Sequence, residues 1–133
     1  MRLGMLTMRK PVVIETPYNS KHYTREQCVR YALWCCYHAT LLGESPFASH
    51  LFFTQFLPED KESREIGLAC RDTWARSSQA RIVRYTDLGE TSGMFREIDG
   101  TAIRESRKLP DVLLDKWRNR EYPTGSLKLC VSA

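Results

Sequence analysis

The chain has 133 residues, which is enough for one domain around a single hydrophobic core. Hydrophobic residues make up 42% of it and charged residues 27%, and no apolar run approaches the ~20 residues needed to cross a bilayer, so a membrane role is not expected. The net charge of +4 is mild, and acidic residues are interleaved with the basic ones, so we expect no binding along a nucleic-acid backbone.

The amino-terminal third is predicted to form a strand followed by a helix. Residues 1–10 contain no apolar stretch of signal-peptide length, and we interpret them as the mobile leader of a cytoplasmic protein. The β-branched run "PVVIE", residues 11–15, predicts a first strand that is central and buried on both faces. From Thr24, "TREQ" has the spacing of a capping box, and the apolar residues that follow recur at helical intervals until Gly43.

The middle of the chain repeats this alternation. "ESPFASHLFF", residues 44–53, predicts a second strand that ends near Ser49 and His50. Residues 58–77 predict a second helix, whose inner face would carry Ile66, Cys70, Thr73 and Trp74. The third strand is predicted at 81–85, a short helix from Ser92 to about Asp99, and a fourth strand at 101–109.

Strands alternating with helices across short loops are typical of an α/β fold with a mostly parallel sheet. We expect one domain over residues 11–109. Residues 110–133 would add a helix that docks through Val112, Leu113 and Trp117, and then a coil packed on the same domain. The five cysteines lack the paired spacing of a zinc site, and the three on the first predicted helix are interpreted as small buried hydrophobes in a reducing compartment. No metal and no cofactor are expected.

Ligands of open parallel sheets bind beyond the carboxyl ends of the strands. Three predicted loops meet at this edge: "TPY" at 16–18, "SH" at 49–50 and "TDLGETSGM" at 86–94. A serine flanked by glycine at a helix start offers backbone N–H groups to a phosphate or carboxylate. The side chains collected at this edge are Glu15, Tyr18, His50, Asp87, Ser92 and Glu97.

Each of these residues also has a purely structural interpretation. Glu97, in the first turn of a helix, stabilises the helix dipole without any function. His50 can be a satisfied histidine at a strand end, and Tyr18 a half-buried ring with its hydroxyl in water. Asp87, just before Leu88 and Gly89, can shape a turn by bonding its own backbone. Only the convergence at one edge of one sheet favours a site.

The stretches "VVIETPY", "GESPFASHLFFTQ", "SREIGL" and "VRYTDLGETSGM" resemble the deoxyribosyltransferase-like domains of phage and bacterial genomes over residues 11–109. Those domains are distantly similar to nucleoside 2-deoxyribosyltransferases and to deoxynucleoside monophosphate N-glycosidases. The resemblance implies a small three-layer, Rossmann-like or flavodoxin-like sheet of four to five strands. It also implies a small-molecule nucleoside or nucleotide as ligand, a homo-oligomer (dimer or higher), and a cytoplasmic location, which for a phage protein is the host cytoplasm.

The resemblance also implies roles for individual residues. Glu97, in "GMFREI", matches the carboxylate that attacks C1′ of the sugar, and Tyr18 would orient it. Asp87 would contact a sugar hydroxyl or the base, and Ser92 with nearby backbone amides would hold the 5′ end or its phosphate. Arg64 and Arg107 match basic positions of the group; each would face a phosphate or be a surface arginine. The substrate-binding residues expected on these grounds are Pro17, Ser49, His50, Arg64, Gly89, Thr91, Ser92, Gly93, Met94 and Arg107.

Three functions remain open from the sequence. The first is an N-glycosidase or deoxyribosyltransferase that uses Glu97. The second is a nucleotide-binding protein without turnover, such as a sponge or sensor, which keeps the crevice but does not need that nucleophile. The third is an interaction module that uses Trp117 and Tyr122 of the carboxy-terminal segment, and three polar loops at one sheet edge argue against it.

Overall fold

A computed structural model describes residues 8–91 and 103–124 of the chain. Four strands, β1 to β4, form one sheet in the order β2-β1-β3-β4, with every neighbouring pair parallel. This arrangement confirms the predicted α/β class with a parallel sheet. The strands are β1 (Lys10–Glu15), β2 (Glu44–Phe47), β3 (Arg81–Tyr85) and β4 (Arg104–Arg107), and the helices are α1 (Arg25–Leu41), α2 (Ser49–Phe52), α3 (Lys61–Ser78) and α4 (Asp111–Arg118), with a 3₁₀ turn at Phe53–Gln55.

Strand β1 is central and buried on both faces, as predicted. Its neighbours are β2 and β3, and Val12, Val13 and Ile14 are at most 2% exposed. Because side chains alternate along a strand, Val12 and Ile14 join the cluster under α1, while Val13 packs with residues on the α3 side. The strand begins at Lys10, one residue before the predicted boundary.

Helix α1 is fixed at its amino end by the predicted capping box. The Thr24 hydroxyl accepts from the Gln27 backbone N–H at 3.1 Å, and the Thr24 N–H donates to the Gln27 side chain at 2.8 Å. The helix stops at Leu41, and Gly43 follows with φ +85°, a conformation that glycine adopts at little cost. Both ends of α1 could therefore be placed from local sequence.

The predicted length of the second strand was wrong. Strand β2 ends at Phe47, and Ser49–Phe52 is helical. A short apolar run carries no periodicity that separates strand from helix. Here the turn after Ala48 brings Phe52 into contact with Phe47 and Phe53, with ring centroids 6.5 and 5.0 Å apart. The same turn carries His50 to the end of β1.

The predicted inner face of the second helix was also wrong. Ile66 and Trp74 of α3 are 48% and 61% exposed, Cys70 is half-buried and Thr73 is exposed. The residues that face inward are Arg71, Asp72 and Ala75. An ion pair between Arg71 and Glu15 at the sheet, not an apolar stripe, sets the rotation of this helix.

Helix α4 confirms part of its predicted docking face. Leu113 and Trp117 are buried, whereas Val112 is 67% exposed. The Trp117 indole N–H donates to the Gln27 carbonyl at 3.0 Å, which ties α4 to the start of α1. The carboxy-terminal helix therefore belongs to the core on the α1 side of the sheet.

Four cysteines lie in the described part of the chain, and all are free thiols. Cys28 and Cys35 are buried in α1, as predicted, while Cys36 and Cys70 are partly exposed. Cys130 lies outside the described residues. Within residues 8–91 and 103–124, no helix combines the length and apolar character required to traverse a membrane.

Candidate functional site

A cavity of about 330 Å³ opens at the carboxyl end of β1. Its walls are the loop after β1, helix α2 with the turn that follows, the segment before α3 and the amino-terminal half of α3, while Thr91 contributes from the loop after β3. This is the edge at which open parallel sheets bind ligands, and the volume is of the size that small organic ligands occupy. Residues of the first two predicted loops line this pocket, and Thr91 of the third does so too.

The floor of the pocket is a buried ion cluster around Glu15. This carboxylate is 4% exposed and accepts from Arg71 at 2.7 Å and from Arg84 at 3.3 Å, and the Arg104 guanidinium lies 3.8 Å away. Burial raises the pKa of Glu15, and the nearby arginines, Arg71 foremost, oppose that rise. Arg71 itself is also held by Asp72, at 3.0 Å.

Arg71 was not among the predicted site residues, although the sequence contains a reason to expect a cation near Glu15. A glutamate that ends a strand buried on both faces needs a cationic partner, because an isolated buried charge is very costly. The sequence does not say which arginine supplies it. Arg71 lies 56 positions away along the chain, and only the packing of α3 on the sheet brings the two together.

His50 forms one side of the pocket as a neutral histidine. Its Nε2 lies 2.8 Å from the Thr16 hydroxyl oxygen. Burial, with a smaller contribution from the Arg71 charge, lowers the pKa of His50 to about 4. At neutral pH this ring can therefore exchange hydrogen bonds with a ligand but carries no positive charge.

Tyr18 stands at the pocket mouth between a histidine and an arginine. Its ring meets His50 edge-on, with centroids 5.8 Å apart. The Arg25 guanidinium lies over the same ring, 3.9 Å from its centroid. Arg25 also bonds Asn19 at 2.6 Å and forms an ion pair with Glu59 on the other side of the pocket. Arg25 was not predicted as a site residue, because it occupies the first position of an ordinary capped helix.

The opposite wall is apolar. Phe53, Leu57 and Leu68 line it. Gly67 of α3 lies against this wall, where a Cβ would make ordinary van der Waals contacts with Phe53 and Leu57 at 3.7 and 3.8 Å. A pocket with one apolar wall, one polar wall and a charged floor suits a ligand that joins a ring to hydroxyl or anionic groups.

The predicted site residues fall into three groups. Five of them line the pocket: Tyr18, Ser49, His50, Arg64 and Thr91. Four are described but do not line it: Pro17, Asp87, Gly89 and Arg107. The remaining four lie outside the described residues: Ser92, Gly93, Met94 and Glu97.

Asp87 is committed to the α1 side of the sheet. Its carboxylate accepts from the Tyr31 hydroxyl at 2.6 Å and from the Leu109 backbone N–H at 2.9 Å, and its own N–H donates to the Tyr31 oxygen at 3.0 Å. These bonds join α1, the end of β3 and the chain after β4. Asp87 thus holds the loop after β3 in place from the α1 side of the sheet. Gly89, with φ +87°, completes the turn of that loop.

Arg107 is likewise engaged away from the pocket. Its guanidinium forms two hydrogen bonds with Glu44, at 2.8 and 2.9 Å, and donates to the Tyr85 hydroxyl at 3.0 Å. These bonds raise the pKa of Arg107 and fix its charge. Of the two arginines expected to face a phosphate, only Arg64 lines the pocket. Pro17 is buried under the loop it begins.

Comparison with known proteins gives one match. The family described as a domain of unknown function (DUF7768) matches residues 10–108, and the chain belongs to that family. No curated protein and no solved structure matches the chain.

Proposed function

We propose that this member of the DUF7768 family acts on the N-glycosidic bond of a nucleoside or nucleotide, as an N-glycosidase or 2-deoxyribosyltransferase-like protein with Glu97 as nucleophile. The observation that carries the proposal is the pocket at the carboxyl end of β1. It gathers Tyr18, His50 and Arg64 beside Thr91, the residue that immediately precedes Ser92 in the loop leading to Glu97.

The lining of the pocket supports a ligand of this class. Phe53, Leu57 and Leu68 offer an apolar surface to a planar base. Thr16, Ser49 and Asn19 offer hydroxyl and amide groups to sugar hydroxyls. His50 is neutral at physiological pH, so it can hydrogen-bond a sugar or base without attracting a second anion. A concave pocket of about 330 Å³ is of the size that holds a small molecule.

The proposed reaction is a double displacement at C1′ of the sugar. The Glu97 carboxylate attacks C1′ while the C1′–N bond breaks, so the electron pair of that bond leaves with the base, which takes up a proton from water. A glycosyl ester on Glu97 results. Water then attacks C1′ and releases the free sugar, or a second base attacks it and forms a new nucleoside; either route restores the carboxylate.

The described pocket does not itself offer a free nucleophile, and this favours a second candidate. Each carboxylate that lines it is engaged: Glu15 with Arg71, Glu59 with Arg25, and Asp60 with the Ser63 backbone N–H that it caps at 2.7 Å. The described residues alone therefore support ligand binding more than they support a displacement by one of these carboxylates. A binding protein without turnover, such as a sponge or sensor, is the alternative that this observation supports.

The test is the release of free base, followed by chromatography. Purified protein is incubated with ribonucleosides, 2′-deoxyribonucleosides, their 5′-monophosphates and nicotinamide dinucleotide, each with and without a second base as acceptor. The Glu97→Gln variant is expected to lose at least ~10³-fold in rate, because removal of a covalent nucleophile removes the whole displacement route.

The matched control is Glu90→Gln, the same chemical change at an exposed position of the same loop. It should retain wild-type rates. Ligand affinity of both variants is measured in parallel by calorimetry. Base release by wild type and by Glu90→Gln, but not by Glu97→Gln, supports the enzyme. Tight nucleotide binding without release by any form of the protein supports the binding alternative and rejects catalysis.

A further inference from the structure

An ion pair between Arg25 and Glu59 lies at the edge of the pocket. Arg25, at the start of α1, reaches from the loop after β1 to Glu59, which precedes α3. Tyr18, Asn19 and Glu59 all line the pocket, and Arg25 contacts each of them. The pair thus closes the rim of the same cavity that the proposed function uses.

The position of Arg25 is unfavourable for a helix. It is the first helical residue after the Thr24 cap, where the positive end of the helix dipole disfavours a cation. Local sequence preferences are usually broken at functional sites, where a residue serves something other than the stability of its own element. A charge held at this position despite the dipole indicates a role for the guanidinium in the pocket.

The guanidinium is held in a fixed orientation by neutral groups. It stacks on the Tyr18 ring at 3.9 Å, donates to the Tyr18 carbonyl at 3.3 Å and donates to the Asn19 side-chain oxygen at 2.6 Å. These contacts keep Arg25 in place without neutralising it. The only negative group on it among the described residues is the Glu59 carboxylate.

The ion pair between Arg25 and Glu59 is weak enough for a ligand to replace Glu59. The two side chains are 39% and 64% exposed. Exposed ion pairs are weak because water screens them and because holding two long side chains in one geometry costs entropy. An anion with more oxygens and more charge, such as a phosphate, makes better use of the planar guanidinium.

A second cation lies on the same pocket. Arg64, in the first turn of α3, lines the cavity and forms no ion pair with any residue of 8–91 or 103–124. Arg64 follows Glu59, the ion-pair partner of Arg25, along the segment that leads into α3. Two arginines around one carboxylate leave positive charge available to a ligand.

We infer that Arg25 and Arg64 form an anion subsite at the pocket mouth, and that the Glu59 carboxylate occupies the place of a phosphate group of the ligand and leaves Arg25 when that ligand binds. The inference rests on the proposed function for the nucleotide that carries the phosphate. The subsite itself needs only the phosphate. Glu59 then acts as a built-in competitor that weakens the binding of phosphate-bearing ligands and leaves the affinity for phosphate-free ligands unchanged.

The test measures binding by calorimetry at fixed ionic strength, with three probes: inorganic phosphate, the four 2′-deoxynucleosides, and their 5′-monophosphates. Glu59→Gln removes the competitor and should increase the affinity for the 5′-monophosphates and for inorganic phosphate by about two- to fivefold, the range of an exposed ion pair. Arg25→Gln should weaken them by about 10- to 100-fold, as expected for a charge-assisted bond. Affinities for the nucleosides should change by less than about twofold in either variant.

The matched control is Glu62→Gln, which removes the same charge at an exposed position on the other side of the Asp60 cap. The affinities of this variant for all three probes should stay within about twofold of the wild-type values. Equal tightening by Glu62→Gln and Glu59→Gln, or no tightening by Glu59→Gln, overturns the inference. Binding of inorganic phosphate with the expected pattern but of no nucleoside or nucleotide upholds the subsite and rejects the proposed function. Equal binding of nucleosides and 5′-monophosphates upholds the proposed function and rejects the subsite.

Discussion

The two faces of the central sheet are built in different ways. On the α1 face, large side chains such as Tyr31, Trp34 and Trp117 fill a continuous apolar cluster. On the α3 face, the apolar cluster is small, and much of the buried surface belongs to the ions around Glu15 and Arg71.

The polar groups of the two faces differ in the same way. Those of the α1 face bond one another, as Tyr31 does with Asp87 and Arg107 with Glu44. Those of the α3 face also bond one another, as Glu15 does with Arg71, but both of these residues line the pocket as well. The face under α1 is therefore built mainly by apolar packing, whereas the face under α3 combines a small apolar cluster with buried ion pairs beside a cavity.

The strongest test of this contrast is the buried ion pair. Arg71→Met leaves Glu15 without its nearest cation, and breaking a buried pair on one side costs about 3 to 5 kcal/mol of unfolding free energy. Urea denaturation measures the loss. The double variant Glu15→Gln with Arg71→Met should recover much of it, because no unpaired charge remains. A loss below about 1 kcal/mol for the single variant would mean that the α3 face does not depend on its ions.

The next effect is a pH dependence carried by the pocket histidine. Because the pKa of His50 is lowered to about 4 from an ordinary 6.5, the folded protein binds that proton more weakly than the unfolded chain does. Stability is therefore lost as pH falls from about 6.5 through about 4, by up to ~3 kcal/mol for this one group. The raised pKa of Glu15 acts in the opposite direction, since acidification favours the fold through that group.

Thermal unfolding of wild type and of His50→Gln between pH 7 and 4 isolates this contribution. The variant should lose less stability on acidification. The control is His22→Gln, at an exposed histidine, which should follow wild type. The lowered pKa of His38 on the other face leaves a residual dependence in every form. Identical pH profiles for wild type and His50→Gln would show that the pKa of His50 is not lowered in the folded protein.

The smallest effect is expected on the α1 face. Tyr31→Phe removes the hydroxyl that accepts the Asp87 N–H and donates to its carboxylate, and it should cost about 1 to 3 kcal/mol, the usual range for a buried hydrogen bond. Because this bond lies under the sheet, phosphate and nucleotide affinities should remain at wild-type values. A loss of affinity with retained stability would assign Asp87 to the ligand after all.

The chain order of the four strands and the two long helices could be predicted from the sequence, because it follows from local physics. The helix predicted from Ser92 to about Asp99 lies outside the described residues. The Thr24 capping box, the turn at Gly43 and the β-branched run of β1 each act within a few residues. The edge that carries the pocket followed from strand direction, and the loops expected there contribute Tyr18, Ser49, His50 and Thr91 to its lining but not Asp87. Arg64 was expected only from the family resemblance.

The tertiary structure decided the rotation of α3 and the partners of the charged residues. The apolar stripe through Ile66 and Trp74 predicted the wrong inner face, because the pairing of Arg71 with Glu15 outweighed it. Asp87 and Arg107 bond partners on α1 and β2 instead of lining the pocket. Arg25, which was not predicted, forms an ion pair with the pocket residue Glu59. Ion pairs across long chain separations carry no periodicity, so the sequence contains the charges but not the contacts that assign them.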